Sequence, residues 1–167
     1  MSGSVALLLF VTAQRAAELV WARLNTRRLL SEGAREEGAG HYPWLVAFHA
    51  SWLAGLWIFG AGQELDMPWV GVFVGLQVFR VWVLATLGRR WTTRILVRPG
   101  ERLVRRGPYR FLSHPNYVLV ASEIAVLPLA LGLVAYAILG SCIHAALLAI
   151  RIDAEDRALS GVARSSN

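Results

Sequence analysis

The chain contains no lysine: its 17 basic residues are all arginine. It holds one cysteine, so an intrachain disulfide is excluded, and Cys142, inside an apolar run, reads as a buried thiol. No Gly-x-Gly-x-x-Gly follows a strand pattern, which removes support for a soluble nucleotide-binding domain of the Rossmann type. No nucleic-acid-binding motif accompanies the formal net charge of +6. The arginines gather in loops between apolar spans, so membrane topology and anionic lipid account for the charge, and no nucleic-acid partner is expected. The start, Met1-Ser2-Gly3-Ser4, lacks the basic region of a secretory signal, and the first apolar run is expected to stay as a span. Internal repeats and low-complexity stretches are absent. One membrane-embedded domain over residues 1–167 is expected, without a metal.

What is present is oil: 56% of the residues are hydrophobic and the mean hydropathy is +0.47. That places the chain in the membrane class, as an all-α integral membrane protein. Apolar runs near the ~20-residue length of a bilayer core predict spans at about 5–24, 43–61 and 68–87. From Tyr117 to Ile150 the chain is almost unbroken apolar. One helix there would be about 50 Å long, too long for a ~30 Å core. Pro128 and Gly132 interrupt the run, which predicts two helices, about 116–131 and 133–151, in a tight antiparallel hairpin turning near Leu131–Leu133. The tail is expected to continue the fifth helix for several residues.

Arginine lies in the loop after the first span and in the long loop 88–115. The acidic turn Gly62–Met67 holds none, nor does the turn at Leu131–Leu133. The positive-inside rule then puts the N-terminus outside, and the long loop and the C-terminus in the cytoplasm. Within the long loop, Thr92–Val97 and Arg102–Val104 flank Arg98-Pro99-Gly100-Glu101, a type II turn signal that predicts a small surface hairpin.

Charged side chains inside spans are costly and face a bundle interior or a cavity. Arg15, Glu18, Arg80 and Glu123 fall in the cytoplasmic halves of their spans, with His49, and converge on the depth where the long loop enters the membrane. Two readings stand for them: ion pairs such as Glu18 with Arg80 that hold helices together, or parts of a site. Arg15 and Glu18, three apart, share one helix face with Gln14. His49 and His144 read as packing or interhelical hydrogen-bonding residues.

The densest chemistry is Gly107-Pro108-Tyr109-Arg110-Phe111-Leu112-Ser113-His114-Pro115-Asn116-Tyr117. Pro108 and Pro115 each fix their own φ and restrict the residue before them, so Tyr109, His114, Asn116 and Tyr117 sit on a stiff segment at the mouth of a helix. Headgroup snorkelling explains the arginines but not Gly-Pro-Tyr followed by His-Pro-Asn-Tyr. The second segment is Arg151-Ile152-Asp153-Ala154-Glu155-Asp156-Arg157-Ala158-Leu159, where Arg151 and Glu155 lie one helical turn apart.

Together, Gly-Pro-Tyr-Arg-x-x-x-His-Pro-x-Tyr, a hydrophobic hairpin and Arg-Ile-x-x-Glu-Asp-x-x-Leu resemble the isoprenylcysteine carboxyl methyltransferase family, over roughly Trp91 to Leu159. The resemblance implies an integral-membrane enzyme that uses S-adenosylmethionine, with a cofactor pocket open to the cytoplasm and a lipophilic acceptor arriving from the bilayer. It implies that Glu101, Arg102, Leu103, Val104, Tyr109, His114, Pro115, Asn116, Tyr117 and Glu155 bind the cofactor. Arg151 would bind the acceptor and act with Glu155 in catalysis. Arg94 is a weaker correspondence. Ser113 stands where the family usually has a basic residue, and Asp156 where it has a second glutamate. The stretch after Leu159 lacks the longer aromatic tail of the eukaryotic enzymes. Val118–Ile124 with Leu127-Pro128-Leu129 is more similar to bacterial members that methylate lipid-like polyketides, alkylpyrones and alkylresorcinols.

The residue types fit such chemistry. Methyl transfer from a sulfonium is an in-line displacement governed by positioning and water exclusion. Aromatic faces suit the cation, and an arginine favours an ionised acceptor oxygen. Two further classes compete: a non-catalytic scaffold or lipid-binding protein whose Arg loop docks on headgroups, and a transporter or channel subunit. The polar residues stay in one half of the membrane and offer no path across, which counts against the second.

Overall fold

A computed structural model describes residues 2–37, 39–98 and 104–165, without side chains at 41, 156 and 158–165. Five long helices make the body: α1 (Gly3–Ser31), α2 (Tyr42–Gly60), α3 (Met67–Leu87), α4 (Pro115–Ala130) and α5 (Val134–Ser165). Four are long and apolar enough to cross a membrane: α1, α2, α3 extended to Arg90, and α5 as far as Glu155. The helix α4 has 16 residues, close to the expected 116–131, and at 1.5 Å per residue its length of about 24 Å is below the ~30 Å of a bilayer core.

Local chemistry sets the ends. The Ser2 hydroxyl accepts from Val5 N–H at the start of α1. Pro68 and Pro115 sit in the first turns of α3 and α4, where a missing N–H costs nothing. The hairpin turns where expected: Gly132 takes φ +71°, and Leu133 N–H reaches back to Pro128 O at 2.9 Å. The long loop begins with a short 3₁₀ turn at Gly88–Arg90 and ends in another at Gly107–Arg110.

The helix α4 is the hub. Half of its residues are buried, Leu119, Ile124, Val126 and Leu127 among them. They meet Leu8 and Val11 of α1, Trp52 and Leu56 of α2 and Phe73 of α3 in one apolar cluster. The outer helices show large apolar side chains outward, such as Ile58, Val78, Val81 and Ile138, as lipid-facing surfaces do. Cys142 is on that outer face of α5 and exposed, which corrects the expectation of a buried thiol.

The long loop departs from expectation in its pairing. Ile95–Val97 is a strand (β2), but its described partner is β1 (Arg35–Glu37), from the loop after α1. The two run antiparallel, with Glu36 opposite Leu96. Of the local hairpin expected around Pro99-Gly100, the turn and residues 101–103 lie outside the described residues, and Val104 is not in a strand. The long-range pair is reinforced by charge, through Arg94 Nη1 to Glu36 Oε2 at 2.6 Å and Arg98 Nη1 to Glu32 Oε2 at 3.0 Å.

Candidate functional site

The site forms where the long loop meets the first turn of α4 and the middle of α5. Gly107 opens the entry with φ +56°, and a Cβ there would collide with the Thr86 side chain, so glycine is required twice over. Pro108 is fully buried and fixes the 3₁₀ turn that presents Tyr109. Burial raises the Tyr109 phenol pKa, and the Glu155 carboxylate raises it further. Pro115 is fully buried in the first turn of α4 and sets the direction of His114, Asn116 and Tyr117.

Tyr117 is the centre. Its ring stacks on His114, with centroids 5.2 Å apart and planes 14° from parallel. Its hydroxyl donates to Glu155 Oε2 at 2.5 Å and accepts from Arg151 Nε at 2.8 Å. The Arg151 guanidinium also stands 5.4 Å from the Tyr117 ring centre and gives Nη2 to the Thr93 carbonyl at 2.8 Å. His114 Nδ1 lies 3.7 Å from the same Glu155 oxygen, and both side chains are about a quarter exposed, 25% and 27%.

The chain thus brings together Tyr109, His114, Tyr117, Arg151 and Glu155 out of the long loop, α4 and α5. Asn116 is half-buried beside them. Val104 is placed elsewhere: it lines a cleft with Thr86, Arg105 and Arg106 at the ends of α1 and α3. Glu101, Arg102 and Leu103 lie outside the described residues. Arg94 joins the periphery, paired to Glu36 and 4.8 Å from the Tyr42 ring centre. The Glu36 hydrogen bond is the main reason its pKa is raised. Tyr42 Oη in turn meets Thr93 Oγ1 at 3.0 Å. Thr93 and Tyr42 escaped the sequence reading, because Thr93 acts through its carbonyl and no side-chain pattern announces a backbone acceptor.

The charged residues within the spans form a separate cluster, buried at Arg80 and Glu123 and 23% exposed at Arg15, in which each carboxylate is matched. Arg80 Nη1 holds both Glu18 oxygens at 2.6 and 2.7 Å, and its Nε and Nη2 grip Glu123. Arg15 bridges the same two carboxylates, at 3.1 Å to Glu18 and 2.6 Å to Glu123. Gln77 donates to Glu123 at 2.8 Å and accepts from Gln14 at 2.7 Å. Two arginines balance two glutamates, and Arg80 and Glu123 are only 2% and 1% exposed. Of the two readings, the geometry is that of interhelical ion pairs joining α1, α3 and α4. His49 and His144 pack edge to face at 5.5 Å, with His144 stacked on Phe48.

A family model described as "Isoprenylcysteine carboxyl methyltransferase (ICMT) family" matches residues 69–161, more than half of the chain. The match takes in α3 as well as the two motifs and the hairpin between them. "Uncharacterized protein YpbQ" of Bacillus subtilis (strain 168) is 38% identical over 158 residues, covering 92% of this chain and 94% of the relative. An uncharacterized protein of Haemophilus influenzae is 25% identical over 142 residues, covering 81% of this chain and 83% of its own. No solved structure matches.

Proposed function

Because the chain belongs to the isoprenylcysteine carboxyl methyltransferase family, whose members are membrane methyltransferases, we propose that it methylates an oxygen of a lipophilic acceptor with S-adenosylmethionine. The acceptor is a lipid-like polyketide or prenylated compound that presents a carboxylate or hydroxyl oxygen. The observation that carries this reading is the relay from Arg151 through the Tyr117 hydroxyl to Glu155.

The donor set fits a sulfonium cofactor. Glu155 supplies negative charge, the stacked His114 and Tyr117 rings supply π faces, and both attract a cation. Tyr109 and Asn116 complete the wall, and the family resemblance assigns Glu101, Arg102 and Leu103 to the same pocket. When bound, the cofactor supplies an electrophilic methyl carbon: the acceptor oxygen forms the new C–O bond as the S–CH₃ bond breaks. An ionised acceptor needs no base for that step, so holding the anion is the chain's main task.

Arg151 is built for it. Its Nε and Nη2 are engaged by Tyr117 and Thr93, which fixes the plane of the guanidinium. Among the described residues Nη1 is unengaged and can meet an acceptor carboxylate or phenolate, favouring the ionised form. Tyr117 is then the link between the acceptor's arginine and the cofactor's glutamate. The arginine distribution orients the reading: five spans counting α4, the N-terminus outside, and the site facing the cytoplasm of a bacterial cell.

The test is methyl transfer from radiolabelled S-adenosylmethionine into a membrane lipid extract by the purified chain. Arg151→Ala and Glu155→Ala are expected to lower labelling strongly, about 100-fold for Arg151→Ala. Turnover within about threefold of wild type, less than ~1 kcal/mol of barrier, would remove both residues from the site. Labelling absent from wild type across acceptor classes favours the scaffold reading.

A further inference from the structure

The cleft that received Val104 has no place in the chemistry above. Its volume is about 810 Å³, and six arginines line it: Arg28, Arg89, Arg90, Arg98, Arg105 and Arg106. Among the described residues one carboxylate, Glu32, lines it, and it is already engaged by Arg28 at 3.7 Å and Arg98 at 3.0 Å. Two guanidiniums serve carbonyls at the end of α3 and in the turn after it: Arg28 Nη2 donates to Arg89 O at 2.7 Å, and Arg106 Nη2 to Thr86 O at 3.4 Å. Arg28 Nε is buried without a hydrogen-bond partner. Arg89 and Arg105 are exposed and have no acidic partner among the described residues.

Several arginines outside the cleft are matched. Arg15 and Arg80 hold glutamates, Arg94 holds Glu36, and Arg151 holds Tyr117. The positive-inside rule explains the sign of a loop but not the gathering of arginines from three separate segments around one concavity. The cleft also lies where two candidate spans end, at Ser31 and Arg90, the depth of lipid headgroups. Leu29, Leu87 and Val104 give it apolar walls. An excess of planar, bidentate donors beside apolar surface at that depth matches a phosphodiester with a glycerol backbone behind it.

We propose that this cleft binds the phosphodiester headgroup of an anionic phospholipid. The site stands apart from the Arg151–Glu155 relay and does not depend on the methyltransferase reading.

The experiment is native mass spectrometry of the detergent-purified full chain, titrated with phosphatidylglycerol or phosphatidylcholine. Three proteins are compared: wild type, the double variant Arg89→Gln with Arg105→Gln, and a charge-matched control, Arg27→Gln with Arg35→Gln. Wild type is expected to prefer phosphatidylglycerol. The cleft variant should bind it about tenfold or more weakly, given the usual contribution of each arginine near a charged surface. The control should stay within about threefold of wild type, because diffuse charge alone is screened. A second cleft variant, with both positions changed to lysine, keeps the charge and folds under the same electrostatics; it should show an intermediate loss. Millimolar inorganic phosphate should not displace the lipid. Equal loss in cleft and control variants, no preference in wild type, or displacement by inorganic phosphate would each overturn the proposal.

Discussion

Two of the arginine–glutamate clusters among the described residues differ in closure. Arg15, Glu18, Arg80 and Glu123 sit among α1, α3 and α4 with their carboxylates gripped from both sides. Arg151 and Glu155 sit at the edge of the apolar region, linked through a tyrosine, with Glu155 27% exposed and one end of Arg151 unengaged. The same residue types therefore serve different ends. A buried cluster with every charge matched holds helices in register, while a part-open cluster with unmatched donors can receive a ligand. Closure, not residue identity, separates architecture from chemistry here.

The largest expected effect breaks the closed cluster. Arg80→Met leaves Glu18 and Glu123 sharing Arg15 alone, inside the bundle. Losing one partner of a buried pair costs about 3–5 kcal/mol, so the variant should lose most of its folded yield in detergent. A thermal melt within a degree or two of wild type would show that the cluster is not structural. The contrasting change is Arg151→Ala. It should lower turnover about 100-fold, ~2.7 kcal/mol, while the melt moves little, because the lost hydrogen bonds are part-exposed and worth ~1 kcal/mol each. A collapse in stability as large as that of Arg80→Met would erase the distinction between the clusters.

Smaller changes sharpen it. Tyr117→Phe keeps the ring on His114 and under Arg151 but removes the hydroxyl between Arg151 and Glu155. Turnover should fall about 5- to 30-fold, the loss of one or two hydrogen bonds to charged groups. The affinity for S-adenosylmethionine should change less than turnover; an equal fall in both would place Tyr117 in cofactor binding alone. Least of all, Arg94→Gln breaks an ion pair whose arginine is 41% exposed. Such pairs contribute at most ~1 kcal/mol, and a shift beyond that would give the β1–β2 pairing a role larger than tethering the loop.

The sequence was most legible where hydropathy and backbone-restricting residues acted locally. Spans expected at about 43–61 and 68–87 appear as Tyr42–Gly60 and Met67–Leu87, and Gly132 makes the expected turn. Apolar length did not show that α1 runs on to Ser31, while the expected continuation of the fifth helix into the tail is present, as far as Ser165. Beyond the oil neither extension contains a proline to stop it, and Arg27, Arg28, Leu29 and Leu30 in the first, and Ala154, Glu155, Arg157, Ala158 and Leu159 in the second, favour helix. Pairing of Ile95–Val97 with Arg35–Glu37 was hidden because three-residue strands carry no periodic signal, and the local Pro99-Gly100 turn suggested a nearer partner. In the site, His114, Tyr117, Arg151 and Glu155 could be named because proline restriction and helical spacing act within a few residues. The Thr93 carbonyl could not, since its role comes from the tertiary approach of the loop to α5. Val104 went to the arginine cleft because chain neighbours of a motif need not share its pocket.

The most direct measurement is calorimetric binding of S-adenosylmethionine to the detergent-purified chain, with His114→Ala beside it. Wild type is expected to give a saturable signal. Affinity should fall about tenfold in the variant, through loss of the ring that covers Tyr117 and faces Glu155. Folded wild type that binds no S-adenosylmethionine, or a variant that binds as tightly as wild type, would contradict it.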